Sequence, residues 1–153
     1  MTLGVISDTH GYLDPKVLTL FAGVQHIFHA GDIGSAPIIL ELEKVAPVTA
    51  VRGNNDFGMT FEETEVVELE RRKFLVHHIL IPSAPHERIK GRLALENPNV
   101  VIFGHSHQRY QQILGRTLYL NPGYAGRPRF NQPRSVAILH CQPDEVRPEF
   151  FAL

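Results

Sequence analysis

The sequence has almost no cysteine and contains no long apolar or basic run. A single cysteine, Cys141, among 153 residues excludes an internal disulfide framework and is typical of a reducing compartment. No apolar run approaches the roughly 18 residues that a membrane-spanning helix needs, and no signal peptide precedes the first predicted strand. Only two short basic segments occur, so a signal for duplex nucleic acid is missing. We therefore expect a cytoplasmic protein without a membrane partner.

Length and composition are those of an ordinary globular protein. Hydrophobic residues make up 43% of the chain, charged residues 20%, and the net charge is −1. A chain of this length buries roughly 70% of its unfolded surface in one core, and no linker or repeat interrupts it. We expect one domain over residues 1–153. Exposed strand edges would permit a homo-oligomer, and the sequence leaves that question open.

Strand and helix patterns alternate over the first hundred residues and give way to strands afterwards. The predicted strands cover 2–7, 26–30, 48–52, 64–69, 73–77, 99–103, 110–113, 117–120, 135–140 and 146–152. Helices are predicted to begin at Asp14-Pro15 and near Ser35, and a third to cover 83–96, since an N-cap followed by proline starts a helix well. The hairpin pattern after residue 60 favours two layers of sheet with flanking helices over one doubly wound parallel sheet.

Side chains of the types that bind metals follow five of the predicted strands. They are Asp8, His10, Asp32, Asn54, His77, His105 and His107. Carboxyl ends of strands gather ligands at one edge of a sheet, so these residues predict a single convergent site. Asp32 has two carboxylate oxygens and can bridge two cations. The mixed nitrogen and oxygen set suits Mn²⁺, Fe²⁺, Zn²⁺ or Ni²⁺ better than Mg²⁺ or Ca²⁺.

Taken singly, each of these motifs has a simpler explanation. Aspartate, asparagine and glycine at Gly31-Asp32 and Gly53-Asn54 are more often turn formers, and the same holds for Asp8-x-His10. His77 could be a buried histidine that only packs. Their order at five strand ends is what favours a common site, because five independent coincidences are improbable.

Read together, these motifs resemble the calcineurin-like metallophosphoesterase superfamily, and in particular its small single-domain phosphodiesterases. The matching residues are Asp8-x-His10, Gly31-Asp32, Gly53-Asn54-x-Asp56, His77, Gly104-His105-x-His107, Asn121-Pro122-Gly123 and Pro128-Arg129. The resemblance spans residues 3–129. It implies a mixed α/β (α+β) fold, a four-layer αββα sandwich of two mixed β-sheets flanked by helices, with a dinuclear metal site at the sheet edges.

The resemblance also implies how the ligands divide between two divalent metal ions. The first ion would take Asp8, His10, Asp32 and His107. The second ion would take Asp32, Asn54, His77 and His105. Asp32, Asn54 and His107 are expected to be catalytic as well, with His107 assisting the leaving alcohol. Mn²⁺ is the expected metal, with Ni²⁺, Fe²⁺ and Zn²⁺ as alternatives. His29 matches a common residue of the family that supports the ligands or packs beside them.

Three positions depart from the family pattern. Asn55 stands where the better-known phosphatases have a histidine, so the leaving group must obtain its proton elsewhere or be a good one. His78 follows His77 where the small enzymes usually have glycine. Adjacent strand residues point to opposite faces, so only one of the two should face the metals, and alignment of the preceding strand predicts His77. Tyr124 replaces a serine, and its ring could narrow the pocket, stack on an aromatic part of the substrate, or simply pack.

The function implied by the resemblance is hydrolysis of a small-molecule phosphodiester by a metal-bridged hydroxide that attacks phosphorus in line. Hydrolysis of a phosphomonoester would require a further cationic clamp, with Arg52, Arg109, Arg127 and Arg129 as candidates. The alternative is a catalytically weak or inactive interaction scaffold, because a retromer subunit shares this fold. That subunit's metal-site pattern is degraded, whereas all seven ligand types are present here. The sequence does not identify the natural substrate.

Overall fold

Ten strands and three helices make up the computed structural model, which describes all residues 1–153. In chain order they are β1 (Thr2–Ile6), α1 (Pro15–Leu20), β2 (His26–His29), α2 (Pro37–Glu43), β3 (Val48–Ala50), β4 (Thr64–Leu69), β5 (Arg72–His77), α3 (Glu87–Glu96), β6 (Val100–Ile102), β7 (Arg109–Leu114), β8 (Thr117–Pro122), β9 (Ser135–Gln142) and β10 (Glu145–Ala152). No helix is long and apolar enough to cross a membrane. These bounds show that all ten predicted strands are present, with ends shifted by a few residues.

The strands form two mixed sheets of five strands each. The first sheet has the order β10-β9-β1-β2-β3, and the second has the order β4-β5-β6-β8-β7. Neighbours β1, β2 and β3 run parallel, as do β5, β6 and β8, while β9 and β10 in the first sheet and β4 and β7 in the second pair antiparallel. The carboxyl ends of the parallel strands β1, β2, β3, β5 and β6 carry the loops that form the site.

The two sheets pack face to face, and helices cover their outer sides. Phe28 of the first sheet stacks on Phe74 of the second, with ring centroids 5.2 Å apart, inside the cluster of buried residues between the sheets. Helices α1 and α2 bury Val17 and Leu42 against the first sheet, and α3 buries Ile89 against the second. The predicted four-layer αββα sandwich is thus confirmed.

Helix starts show where local signals decide the structure. Asp14 caps α1 as expected, since its carboxylate accepts a hydrogen bond from the Lys16 backbone N–H at 2.9 Å. Ser35 does not cap α2, whose N-cap is Ala36 without a side-chain hydrogen bond. Helix α3 begins at Glu87, four residues later than predicted, because Pro85 favours an extended conformation for the residue before it.

The hairpin of β4 and β5 sets the direction of every side chain on β5. Leu69 pairs with Arg72 across a two-residue turn, in which Glu70 and Arg71 both have positive φ, as a type I′ turn requires. Along β5, Phe74 and Val76 point between the sheets, and Leu75 points to α3. The same alternation continues into the two histidines that follow.

Candidate metal centre

The loops after β1, β2, β5 and β6 bring six potential ligands together at one edge of the sandwich. They form two groups, Asp8 with His10 and His107, and Asp32 with His78 and His105; within each group the ligand atoms lie within 4.8 Å of one another. The first is called the Asp8 group below and the second the Asp32 group. Five of the seven residues predicted from the sequence are therefore brought together here.

Asp32 lies between the two groups. Its Oδ2 atom is 3.7 Å from His10 Nε2 in the Asp8 group and 3.4 Å from His78 Nε2 in its own group. On the other side, His107 Nε2 is 3.3 Å from Asp8 Oδ1 and 3.4 Å from His10 Nε2. One carboxylate oxygen therefore faces imidazoles from both groups, which is the position that a shared ligand needs.

The structure places His78, and not the predicted His77, among the other potential ligands. His77 shares the outer face of β5 with Leu75, and its Nδ1 hydrogen bonds to Thr64 Oγ1 at 2.8 Å. His78 continues the alternation of Phe74 and Val76, whose side chains point between the sheets. Its side chain therefore enters the space where the two sheets meet. The signal was present in the sequence as this alternation. It was ambiguous because β5 is apolar on both faces.

Asn54 and Asn55 lie in the loop after β3. Asn54 is exposed and lines a pocket together with His78. Asn55 instead contacts Asp32 directly: its backbone N–H donates to Oδ1 at 3.0 Å, and its side-chain amide donates to Oδ2 at 2.8 Å. Asn55 therefore has a role that sequence reasoning missed, as a neutral donor that orients the central carboxylate.

Two buried polar atoms of the site have no hydrogen-bond partner, Asp8 Oδ1 and His78 Nε2. The other Asp8 oxygen accepts hydrogen bonds from Ser7 Oγ at 2.6 Å and from the His105 backbone N–H at 3.1 Å. The other His78 nitrogen, Nδ1, donates to the Ala30 carbonyl at 2.7 Å. Buried polar atoms are normally paired. Because the unpaired atoms are an anionic oxygen and a ring nitrogen 3.9 Å apart, the residues present fit a bound cation.

Electrostatics at the site favour positive charge. Burial acts to raise the pKa of Asp8, but interactions with His10 and His107 hold it well below its usual range. Burial also acts to raise the pKa of Asp32, but interactions with His78 and Asn55 lower it to about 2. Burial lowers the pKa of His78, yet the Asp32 and Asp8 carboxylates raise it above its ordinary value. The two carboxylates thus stay ionised and attract a proton or a metal ion to Nε2.

Five site residues adopt the left-handed backbone conformation. They are Asp8 (φ 56°), His10 (46°), Asp32 (52°), His105 (68°) and His107 (60°). Residues other than glycine rarely adopt positive φ, and such backbone strain persists where the surrounding structure imposes it, often at functional sites. The strain is therefore concentrated in the loops that aim the ligands.

Two positions beside the ligands require glycine, because side-chain atoms of neighbouring loops approach the backbone closely there. A Cβ atom at Gly104 would collide with Ser7 Oγ and Asp8 Oδ2, and one at Gly53 would collide with the Asp32 carboxylate. The Gly-His and Gly-Asn pairs of the sequence are thus explained by space, since a side chain at either glycine would displace a carboxylate of the site.

Asp56 ties together two of the loops that carry ligands. Its carboxylate accepts hydrogen bonds from the backbone N–H groups of Ile33 at 3.0 Å, Gly34 at 2.9 Å and Gly53 at 2.7 Å. Two of these donors follow Asp32, and the third precedes Asn54. The aspartate of the Gly-Asn-x-Asp motif therefore fixes the loops and contacts neither group.

His29 connects the loops that carry the two groups. The Thr9 hydroxyl donates to the Ile33 carbonyl at 2.9 Å, so it accepts from His29 Nε2, also at 2.9 Å. The Gly31 backbone N–H donates to His29 Nδ1 at 3.2 Å. Burial lowers the pKa of His29 to about 4. His29 is thus neutral at neutral pH and supports the ligand loops.

Asn121, near the end of β8, and Tyr124, just after this strand, support the histidines of the last motif. The amide of Asn121 donates to the Gly104 carbonyl at 2.9 Å and to Ser106 Oγ at 3.1 Å. Tyr124 is fully buried, stacks on His107 with ring centroids 4.8 Å apart, and donates its hydroxyl to the Arg127 carbonyl. Of the three roles considered for Tyr124, the structure shows packing.

A pocket of about 420 Å³ opens beside the Asp32 group. Of the four arginines considered as a cationic clamp, only Arg52 lines it. Arg109 lines another pocket beside His107, while Arg127 lies over the ring of Tyr12 and Arg129 over that of Tyr124. The side of the site at His78 therefore has its own cationic wall.

The chain is similar to several known proteins over most of its length. The family model of the calcineurin-like phosphoesterase superfamily domain matches residues 1–144. A "Probable metallophosphoesterase" of Methanothermobacter thermautotrophicus is 35% identical, over 97% of this chain and 91% of the relative. The phosphodiesterase MJ0936 of Methanocaldococcus jannaschii is 31% identical, over 96% and 97% of the two chains. Vps29 of Entamoeba histolytica complexed with Zn²⁺ matches in fold alone, with a TM-score of 0.77 at 21% identity over 99% of both chains.

Proposed function

Since the chain belongs to the calcineurin-like phosphoesterase superfamily, we propose that it is a phosphodiesterase that depends on two divalent metal ions. The observation that carries this proposal is the pair of buried, unpaired ligand atoms, Asp8 Oδ1 and His78 Nε2, within a complete set of nitrogen and oxygen donors. The name of the relative MJ0936 supports a diester as the substrate class.

The ligands divide between two positions. Asp8, His10, His107 and Asp32 would hold the first ion. Asp32, His78, His105 and Asn54 would hold the second, with His78 in the place predicted for His77. Asp32 is the shared ligand, because its Oδ2 faces imidazoles of both groups. Mn²⁺ is the proposed metal, and Zn²⁺ is retained beside Ni²⁺ and Fe²⁺ because a Vps29 of this fold binds it.

When bound, such ions would supply a hydroxide nucleophile for attack on phosphorus and would neutralise charge on the phosphate oxygens. The protein's own part is to fix the geometry. Asn55 holds the Asp32 carboxylate through two hydrogen bonds, and Ser7 holds that of Asp8. Both carboxylates are kept ionised by their neighbours, so they are ready to bind cations at neutral pH.

Protonation of the leaving group is the weak part of this site. Asn55 carries no acidic proton, and His107 directs Nε2 toward Asp8 and His10. His107 would therefore contribute to catalysis mainly as a ligand that positions the positive charge of a metal ion. We expect esters with good leaving groups, such as nitrophenol, to be hydrolysed fastest.

The alternative is an interaction scaffold of the same fold. It would need neither unpaired buried ligand atoms nor ionised carboxylates in left-handed loops, both of which carry a cost in stability. The complete donor set supports the enzyme over the scaffold.

Hydrolysis of bis(p-nitrophenyl) phosphate tests the proposal. Protein stripped with a chelator should be inactive, and addition of Mn²⁺ should restore turnover, with p-nitrophenyl phosphate as the monoester comparison and Asp32→Ala as the inactive control. Absence of turnover with Mn²⁺, Ni²⁺, Zn²⁺ and Fe²⁺ in a folded protein would favour the scaffold.

A further inference from the structure

Most of the residues that line the pocket beside the Asp32 group are polar or charged. It has a volume of about 420 Å³, within the range of roughly 300–1,000 Å³ that small-molecule sites occupy. Ile79 is the only hydrophobic residue in its wall, and His78 joins it to the metal centre. The positively charged side chains in its wall provide hydrogen-bond donors for an anionic part of a ligand.

Two arginines and one carboxylate determine the charge of this pocket. Glu63 pairs with Arg52 at 3.2 Å and with Arg88 at 3.3 Å, each through a different carboxylate oxygen. A guanidinium group has five N–H donors, so both arginines keep donors free after this contact. Two permanent positive charges against one negative charge leave an excess of positive charge.

The arginines are presented by three segments that are held together. The Arg52 backbone N–H donates to the Glu62 carbonyl at 2.9 Å, which joins the loop after β3 to the segment before β4. Arg88 lies in the first turn of α3, and Glu63 links it to Arg52. Because Arg52 directly precedes Gly53-Asn54, the cationic wall starts at the loop that borders the metal centre.

We propose that this pocket binds a second phosphate of the substrate, so that the enzyme prefers phosphodiesters that carry an additional phosphate group. This inference rests on the proposed function, because the metal centre must hold the first phosphate. The pairing of phosphate with guanidinium groups is a charge-assisted contact that lysine reproduces only as a point charge.

Binding of three nucleotides to Mn²⁺-loaded protein tests the proposal. Thymidine 3′,5′-bisphosphate, thymidine 5′-phosphate and thymidine 3′-phosphate are compared by calorimetry and as competitive inhibitors of bis(p-nitrophenyl) phosphate hydrolysis. These ligands differ only in their phosphates and can bind in either orientation. We expect the bisphosphate to bind roughly fivefold more tightly than either monophosphate, the size of effect that an exposed charge pair gives. This advantage should shrink as salt is added.

Variants of Arg88 locate the effect. Arg88→Gln should remove most of the advantage of the bisphosphate, and Arg88→Lys should keep part of it. Arg116→Gln is the matched control, because this exposed arginine lies in the turn between β7 and β8, outside the pocket. Thermal unfolding and metal content of each variant verify that the fold and the metal centre are intact.

The outcomes separate this inference from the proposed function. Equal binding of all three nucleotides, in a protein that hydrolyses the diester, overturns the second-phosphate site and leaves the phosphodiesterase intact. A loss in Arg88→Gln that is the same for all three nucleotides would assign Arg88 to the first phosphate and also overturn the inference. No hydrolysis of the diester with any of the four metals overturns both.

Discussion

The two ligand groups have the same chemistry but different surroundings. In the Asp8 group, a hydroxyl holds the carboxylate, and the buried ring of Tyr124 stacks on His107, which is only partly exposed. In the Asp32 group, amide groups of Asn55 hold the carboxylate, His105 is exposed, and His78 borders the pocket. One group has an aromatic ring packed against its histidine, and the other includes an exposed histidine and borders the pocket that contains Arg52. Shared chemistry thus does not imply shared roles.

Replacing the residue between the groups should have the largest effect. Asp32→Ala removes the oxygen that faces both groups, so both metal ions should be lost and diester hydrolysis should fall by more than about 100-fold, beyond the losses typical of residues that only support ligands. Metal content by mass spectrometry and calorimetric titration with Mn²⁺ measure this. Two fully occupied metal positions in the variant would disprove the shared role of Asp32.

A change at His78 should affect one group only. His78→Ala removes a ring nitrogen from the Asp32 group, so the affinity of one metal position should fall about 100-fold while the other changes little. His77→Ala is the matched control, because that ring points away from the site toward Thr64. The same titrations distinguish the two variants. A larger effect of His77→Ala would return the ligand assignment to His77.

Acidification should lower the stability of the folded protein through His29, the buried residue that links the two loops. Its pKa is about 4 in the folded protein and 6.5 in the unfolded chain, so below pH 6.5 the unfolded chain gains a proton that the folded protein does not. Stability should therefore fall as pH drops from 6.5 to 4, by up to about 3 kcal/mol from this residue. Urea unfolding of metal-free protein at several pH values measures it.

The variant His29→Gln isolates this contribution from that of the acidic residues. It retains hydrogen-bonding capacity at the position but does not titrate, so its stability should depend less on pH over the same range. Parallel curves for the variant and the original protein would contradict the pKa assigned to His29.

The smallest expected effect concerns the packing around the Asp8 group. Tyr124→Phe keeps the ring that stacks on His107 and removes only the hydroxyl that donates to the Arg127 carbonyl, which should cost about 1 kcal/mol of stability. Metal affinity and substrate preference should stay the same, as measured by urea unfolding and by titration. A changed preference among diesters would show that the ring reaches the substrate.

Much of the fold could be predicted from the sequence because its signals are local. Asp14 and Pro15 start α1 through local interactions alone. The strand patterns of the sequence correspond to the ten strands of the structure. Asp8, His10, Asp32, His105 and His107 were predicted as ligands because they lie in loops that follow strands, and the structure brings these five residues together. The start of α3 was misplaced because residues with ordinary helix propensity precede Glu87, and a proline acts against them.

The sequence by itself determined the residue types of the site, their positions at strand ends and the layered fold. Only the tertiary structure placed His78 rather than His77 beside Asp32, because β5 is buried on both faces and its apolar pattern does not tell which face meets the other sheet. The tertiary structure also placed Asn55 on Asp32 and Tyr124 against His107. These contacts join segments far apart in the chain, and their geometry depends on how the two sheets pack.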